Sequence, residues 1–395
     1  MLEPQSPALF ILLIAIFGGL IWRVLVTRRV AFRVLVACLA FVPAMVFGVL
    51  AVNKYYGYYQ TWGAMGADLT QQGAGAVSGI PDVKLAGDSR SGTLDGSRSH
   101  LKTAQQEGYL MRLKVTGQRS HITRTVYVYL PPQYFQPAYR AYRFPAIELI
   151  HGQPGVPQAW ITVLGVTRDF DRLLAANRAR PAVLVMPDAN GGLTISLQCL
   201  NQVGGPQDLT YLAVDLPGEI ARQLRVAPPG RAWGVAGYSE GGFCAANMAL
   251  RYPHRYGFAG VLSGYFVPLD NQLAGSGVRV SPFGGDDRLR EQNTPFDELL
   301  NLPATTVVPR FWLGAGSADR QCVADAERFL QELRPRQPDA PLTLNPGTGH
   351  SVNTWRALDP PMLSWATPRL AQAAQQAAMR PAKTAIVADR RRVAG

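Results

Sequence analysis

Gly237-Tyr238-Ser239-Glu240-Gly241-Gly242 fits the pattern Gly-x-Ser-x-Gly with Ser239 at its centre. An apolar run, Ala232 to Ala236, leads into it, and a helix-forming run, Phe243 to Leu250, leads out. A serine nucleophile presented on a sharp strand-to-helix turn needs that context, with small residues on both sides of the turn. The hydroxyl then stands at a helix N-terminus, where backbone N–H groups can stabilise a developing oxyanion. The bare pattern also arises as an ordinary tight turn in Gly- and Ser-rich chains, so the flanking runs single this one out.

A serine nucleophile needs a base to take its proton and an acid to orient that base. The chain has five histidines. His100 lies in a polar stretch, His121 in an expected hairpin turn, and His254 just after an expected helix. His151 directly follows a strand-like run, and we read it as structural rather than catalytic. His350, in Gly-Thr-Gly-His-Ser after the short run Leu342 to Asn345, sits in a late loop, where a catalytic histidine belongs in such a domain. The acid should lie between Ser239 and His350 at the end of a strand. Asp319 fits, following Phe311-Trp312-Leu313 and a short loop. It can also serve as a helix N-cap. Asp286 and Asp287 compete from an irregular stretch, while Asp325 and Glu327 belong to the next expected helix.

An oxyanion hole needs two aimed N–H groups. We expect one from the Glu240 backbone, the residue after the nucleophile. The other is expected from the Gln153 backbone in His151-Gly152-Gln153-Pro154-Gly155, where Pro154 has no N–H to give. The Glu240 side chain could reach the mouth of the site, although acids at helix starts commonly serve the helix dipole alone.

These residues must be positioned by alternating strands and helices. Leu110–Val115 and Thr125–Leu130 read as paired strands. Pro145–Ile150, Ala182–Met186, Ala232–Ala236, Ala259–Leu262 and Val307–Leu313 are short apolar runs of the kind buried in parallel sheets. Helical runs cover Gln158–Ala176, Leu209–Leu224, Phe243–Leu250 and Val323–Leu333, with a closing helix over Pro361–Met379. The alternation predicts an α/β domain with a mostly parallel sheet. Pro268 to Pro303 reads as an irregular insertion over the site.

The N-terminus is different. Ala8–Trp22 and Val34–Val52 carry no charge over 15 and 19 residues, close to the ~20 that cross a bilayer. We expect spans at 8–26 and 34–52, with Lys54, Tyr55, Tyr56, Tyr58, Tyr59 and Trp62 as an interfacial belt. Arg28, Arg29 and Arg33 in the short connection place it in the cytoplasm by the positive-inside rule, leaving the later domain extracytoplasmic. A cleaved signal sequence is the competing reading, and no clear cleavage site follows the second span. The expected organisation is a membrane anchor over 1–62, a linker over 63–107, an α/β-hydrolase domain over 108–378 and a basic, disordered tail over 379–395.

The net charge of +12 does not indicate a nucleic-acid partner. Its concentrations, at Arg23–Arg33 and at Arg380, Lys383 and Arg390–Arg392, lack interleaved aromatics for base stacking. The four cysteines form no Cys-x-x-Cys or Cys/His cluster, so no metal is expected. Outside the cytoplasm a disulfide becomes plausible. Cys199 with Cys244 is the first choice, with Cys322 leaving other pairings open.

At these residues the chain resembles the esterase D family of α/β-hydrolases, which also includes the secreted mycolyltransferases. The resemblance is carried by Val-Tyr-Val-Tyr-Leu-Pro-Pro at 126–132, His-Gly-Gln-Pro-Gly at 151–155, Met186-Pro187-Asp188, Asp215-Leu216-Pro217 and Gly-Tyr-Ser-Glu-Gly-Gly at 237–242. It covers residues 108–375, and the two-span N-terminus looks like that of membrane-anchored bacterial members. The resemblance implies carboxylic-ester chemistry by Ser239, Asp319 and His350, with neither metal nor organic cofactor. A membrane-anchored esterase acting on an ester, lipid or envelope glycolipid is the leading expectation. The alternatives are an acyltransferase acting on an envelope sugar or lipid, and a non-catalytic binding protein on a hydrolase scaffold.

Overall fold

The computed structural model describes residues 2–56, 62, 65, 98–192, 196–272 and 279–379. The expected tail from Arg380 on, and most of the expected linker, lie outside the described residues, as do Tyr58 and Tyr59. The chain divides into two compact units, one of residues 1–78 with 350–353 and the other of residues 79–349 and 354–395.

In the first unit, α1 (Pro7–Val26) and α2 (Val30–Tyr56) are joined by a short connection. Pro7 opens α1 at a position whose N–H would have no helical partner anyway, and Pro43 lies within α2. Phe10 and Phe47 meet edge to face with ring centroids 5.3 Å apart. Both helices are long and apolar enough to cross a membrane, over Pro7–Val26 and Val30–Lys54. Ile11, Trp22, Leu25, Val34 and Phe41 are exposed along them, a cost in water that hydrocarbon would remove.

The second unit begins earlier than the sequence suggests. Arg98–Glu107, expected as linker, forms a helix, α3. Then follow β1 (Tyr109–Thr116), β2 (Thr123–Leu130), β3 (Ala146–Ile150), α4 (Val166–Ala175), β4 (Val183–Pro187), α5 (Leu216–Gln223), β5 (Trp233–Tyr238), α6 (Glu240–Arg251) and β6 (Phe258–Leu262). A small ribbon of β7 (Asn271–Gln272) and β8 (Arg279–Val280) comes next. It is followed by α7 (Asp287–Gln292), α8 (Pro295–Asn301), β9 (Arg310–Gly316), α9 (Arg320–Leu333), β10 (Leu342–Asn345) and α10 (Val352–Met379).

Eight strands form one sheet in the order β1-β2-β4-β3-β5-β6-β9-β10. β1 and β2 are antiparallel to each other, and β2 is antiparallel to β4. From β4 to β10 every pairing is parallel. The burial follows from this arrangement. β3, β4, β5 and β6 are buried at every residue, as expected of apolar strands covered on both faces. β1, at the edge, alternates buried and exposed positions over its second half. This is an α/β-hydrolase fold, as the sequence predicts, preceded by two apolar helices.

Several expected elements are reshaped. The run Gln158–Ala176 is two pieces, a π-helical turn at Trp160–Leu164 and α4, parted at Gly165 with φ 77°. The run Leu209–Leu224 likewise holds a π-helical turn at Tyr211–Asp215 before α5. Periodicity over an apolar stretch does not register a wide turn, because the same residues stay on the buried face. The closing helix starts at Val352 and runs through Pro360 and Pro361. The expected irregular insertion contains the β7–β8 ribbon, α7 and α8.

Candidate active site

Ser239 joins β5 to α6 with φ 56° and ψ −121°. A non-glycine residue rarely adopts that conformation, and it persists only where surrounding contacts enforce it. Here the Ser239 N–H donates to the Leu262 carbonyl at 2.9 Å, and its own carbonyl accepts from Gly242 N–H at 2.9 Å. Its hydroxyl makes no capping bond to the helix, although serine at this position commonly does. The turn also needs close approach. A β-carbon on Gly241 would stand 2.2 Å from the Ile150 carbonyl oxygen, so only glycine lets α6 start this close to the end of β3.

The loop after β3 lies beside the serine. A β-carbon on Gly152 would be 2.9 Å from the Tyr238 ring and 3.1 Å from the Ser239 β-carbon. His151 is buried, and its ring is occupied at both nitrogens. Nε2 accepts from the Ala189 N–H at 3.1 Å, which leaves the proton on Nδ1 to bond the Gly152 carbonyl at 2.9 Å. This agrees with the structural role expected of His151. It also has a geometric consequence. In a trans peptide the carbonyl and the following N–H point in opposite directions, so holding the Gly152 oxygen on one side turns the Gln153 N–H to the other.

Asp319 and His350 follow β9 and β10, neighbouring parallel strands. Their loops are laced together: Ser317 N–H donates to Asn345 O at 2.9 Å, Ala318 N–H to Thr348 O at 2.8 Å, and Gly347 N–H to Ser317 Oγ at 2.8 Å. One side-chain polar atom each from Asp319, Cys322 and His350 lies within 4.8 Å of the others. Just past His350, Trp355 at the start of α10 stacks on Tyr238 at 4.5 Å between ring centroids, and Trp160 meets the same ring edge-on at 5.2 Å. Such ring pairs add about 0.5–1.5 kcal/mol each beyond burial, and they draw the end of the His350 loop to the residue before the nucleophile.

The Asp319–Cys322–His350 group has the residue types of a metal site. Cys322 is also engaged within the protein. Burial, together with the charge of Asp319 beside it, pushes its thiol well above the ordinary range. The thiol donates to the Ser263 carbonyl at 3.3 Å. The competing acids belong to helices. Asp286 caps α7, accepting from Leu289 N–H at 3.0 Å, and Asp325 and Glu327 lie within α9.

The Glu240 carboxyl, in the first turn of α6, is bonded within the protein. It is 6% exposed, accepting from Asn190 Nδ2 at 2.8 Å and from the Ser196 hydroxyl. Burial raises its carboxyl above the ordinary value, against the pull of those bonds. Cys199 and Cys244 form the expected disulfide, tying the 196–199 segment to α6. Sequence reasoning passed over Asn190 and Ser196. The available signal was positional, because Asn190 follows the end of a parallel strand, where α/β folds gather their functional loops.

A family model named Esterase matches residues 118–365. The chain belongs to the esterase family. A curated relative, an uncharacterized protein of Corynebacterium glutamicum, is 25% identical over 349 residues, 85% of this chain and 76% of the relative. The MPT51/MPB51 antigen of Mycobacterium bovis is 36% identical over 87 residues, 22% of this chain and 28% of the antigen. Among solved structures, a ferulic acid esterase aligns with TM-score 0.57 at 18% identity, covering 67% of this chain and 99% of its own. An S-formylglutathione hydrolase from Agrobacterium tumefaciens aligns at 0.53 and 18%, covering 67% and 96%. These alignments establish the shared hydrolase fold. Membership of the esterase family, with the sequence features of its esterase D branch, makes the chain an enzyme acting on carboxylic esters.

Proposed function

We propose that this esterase is a membrane-anchored, extracytoplasmic serine hydrolase that works through an acyl-enzyme at Ser239. Ser239 Oγ attacks the ester carbonyl carbon, and His350 takes the hydroxyl proton. The Gln153 and Glu240 backbone N–H groups bind the resulting oxyanion. When the intermediate collapses, the bond to the leaving alkoxide breaks and His350 returns the proton to it. Asp319 orients His350 and stabilises its charged form. Water then repeats the sequence on the acyl-enzyme, releasing the acid and regenerating Ser239.

The observation that carries this reading is the pairing of a strained serine elbow with an acid and a histidine on the loops after two adjacent strands, in the chain order Ser239, Asp319, His350. The two apolar helices with arginines in their short connection support the anchoring and its direction. The Cys199–Cys244 disulfide supports an oxidising compartment. An anchor in the bilayer favours an envelope ester or lipid as substrate. A second reading, transfer of the acyl group to an envelope sugar or lipid, shares every step up to the acyl-enzyme and differs in the alcohol that discharges it.

The test is labelling with a fluorophosphonate probe. We expect wild-type protein to be labelled, Ser239→Ala to lose both the label and ~10⁴-fold or more of ester turnover. Retained labelling in Ser239→Ala sinks the reading. Adding trehalose or a glycerolipid to the turnover assay separates hydrolysis from transfer by the product formed.

A further inference from the structure

The two backbone amides assigned to the oxyanion hole arrive on different elements. Gln153 lies on the loop after β3, and Glu240 is the first residue of α6. Oxyanion stabilisation depends on both donors meeting one oxygen at hydrogen-bond distance, so their spacing matters as much as their presence. The side chains of these same two residues are joined through a third. Asn190, in the loop after β4, is 1% exposed. Its Nδ2 donates to Glu240 Oε1 at 2.8 Å and to Gln153 Oε1 at 3.4 Å. Its Oδ1 accepts from the Leu197 N–H at 3.1 Å.

Only one orientation of the amide serves all three partners, with its oxygen toward Leu197 and its NH₂ toward the two acceptor oxygens. Asn190 is itself fixed. Its backbone N–H donates to Asp188 Oδ1 at 3.2 Å, and the same oxygen accepts from Gly191 N–H at 2.8 Å. Burial alone would raise the Asp188 carboxyl, but the His151 ring, the Gly191 amide and the Arg124 charge reverse this and hold it below its ordinary value. On the other side, the Glu240 carboxyl is completed by the Ser196 hydroxyl, three residues before the disulfide-bonded Cys199.

We propose that Asn190 is a positioning residue for ester turnover: by bonding the Gln153 and Glu240 side chains at once, it sets the spacing of the two backbone N–H groups that receive the oxyanion. The inference rests on the reading of Ser239 as nucleophile. It adds a residue that touches neither substrate nor the reacting atoms.

The experiment is a donor–acceptor swap in the full-length, detergent-solubilised protein, with p-nitrophenyl butyrate as substrate. Asn190→Asp keeps the acceptor for Leu197 but removes the donor and sets a second carboxylate against Glu240. We expect kcat to fall about 10- to 100-fold with KM within about threefold, the split expected when oxyanion geometry rather than ground-state binding is disturbed. Glu240→Gln can supply the missing donor from the opposite side. The double variant Asn190→Asp/Glu240→Gln should therefore recover about tenfold or more of the kcat lost in Asn190→Asp, a coupling that a merely space-filling asparagine would not show.

An Asn190→Asp protein with kcat within about twofold of wild type overturns the proposal. So does a double variant that recovers nothing, whether through lost activity or lost folding as read by thermal melting. Fluorophosphonate labelling keeps the two failures apart. Label surviving Ser239→Ala removes the nucleophile reading itself. Label confined to Ser239, with kcat unmoved in Asn190→Asp, removes only the role of Asn190.

Discussion

At the scale of single residues, the site depends on atoms that are absent as much as on those present. Ser239 holds φ 56° because β5 must turn into α6 within one residue, and Gly241 lets α6 start against the Ile150 carbonyl. A methyl group on Gly241 would have to displace backbone, which cannot yield as a side-chain tip can. Gly241→Ala should therefore lower kcat/KM by about 100-fold or more, as misplacement of a reacting group by ~1 Å does. It should also lower stability by about 1–3 kcal/mol. Gly218→Ala is the matched control. That position lies in α5 with nothing within 4 Å of the added carbon, and helix propensity predicts a gain of up to about 1 kcal/mol. Esterase kinetics and urea midpoints on the two variants decide the matter. The sequence showed Gly241 as part of a pattern, but it could not show the carbonyl that excludes a side chain there, because Ile150 is far away in the chain.

At the scale of elements, the strands were the legible part. β3, β4, β5 and β6 fall within a residue or two of the apolar runs that announce them, since a short strand covered on both faces is apolar throughout. Helices were less legible. The break at Gly165 and the π-helical turns leave no mark in periodicity, and the insertion hides two helices of six and seven residues. The most consequential element-level link is the Cys199–Cys244 disulfide, which closes a sequence separation of 45. A loop of that size constrains the unfolded chain enough for removal to cost about 2–4 kcal/mol. Cys199→Ala/Cys244→Ala should show that loss in denaturant melts. Because the bridge braces the segment carrying Ser196 against α6, ester turnover should fall as well. Unchanged stability would mean that packing alone holds the segment.

At the scale of the whole molecule, the two units present different surfaces. α1 and α2 expose large apolar side chains, whereas the hydrolase unit buries its apolar side chains around one sheet. A reporter fused after the C-terminus should therefore behave as extracytoplasmic. Alkaline phosphatase is expected to be active there, and green fluorescent protein exported in the same position is expected to be dark. The reverse pattern would overturn the topology while leaving the chemistry untouched. Charge reversal of Arg28, Arg29 and Arg33 together should weaken the preference, because the proposed orientation rests on those residues under the positive-inside rule.

The sequence by itself determined the α/β alternation, the Ser239 turn and the order Ser239, Asp319, His350. Each of these depends on local pattern: apolar periodicity, small residues at a tight turn, and position relative to a strand end. Tertiary structure alone decided which groups became neighbours across elements. It drew Asp319 and His350 together through parallel pairing of β9 with β10, and it gave Cys322 to the Ser263 carbonyl rather than to a bridge. It also turned the Glu240 carboxyl inward to Asn190 and Ser196. The hydrogen bonds among these join residues 44 to 59 positions apart. Side chains that far apart in the chain meet only after the sheet has closed the distance, and no local propensity encodes the meeting.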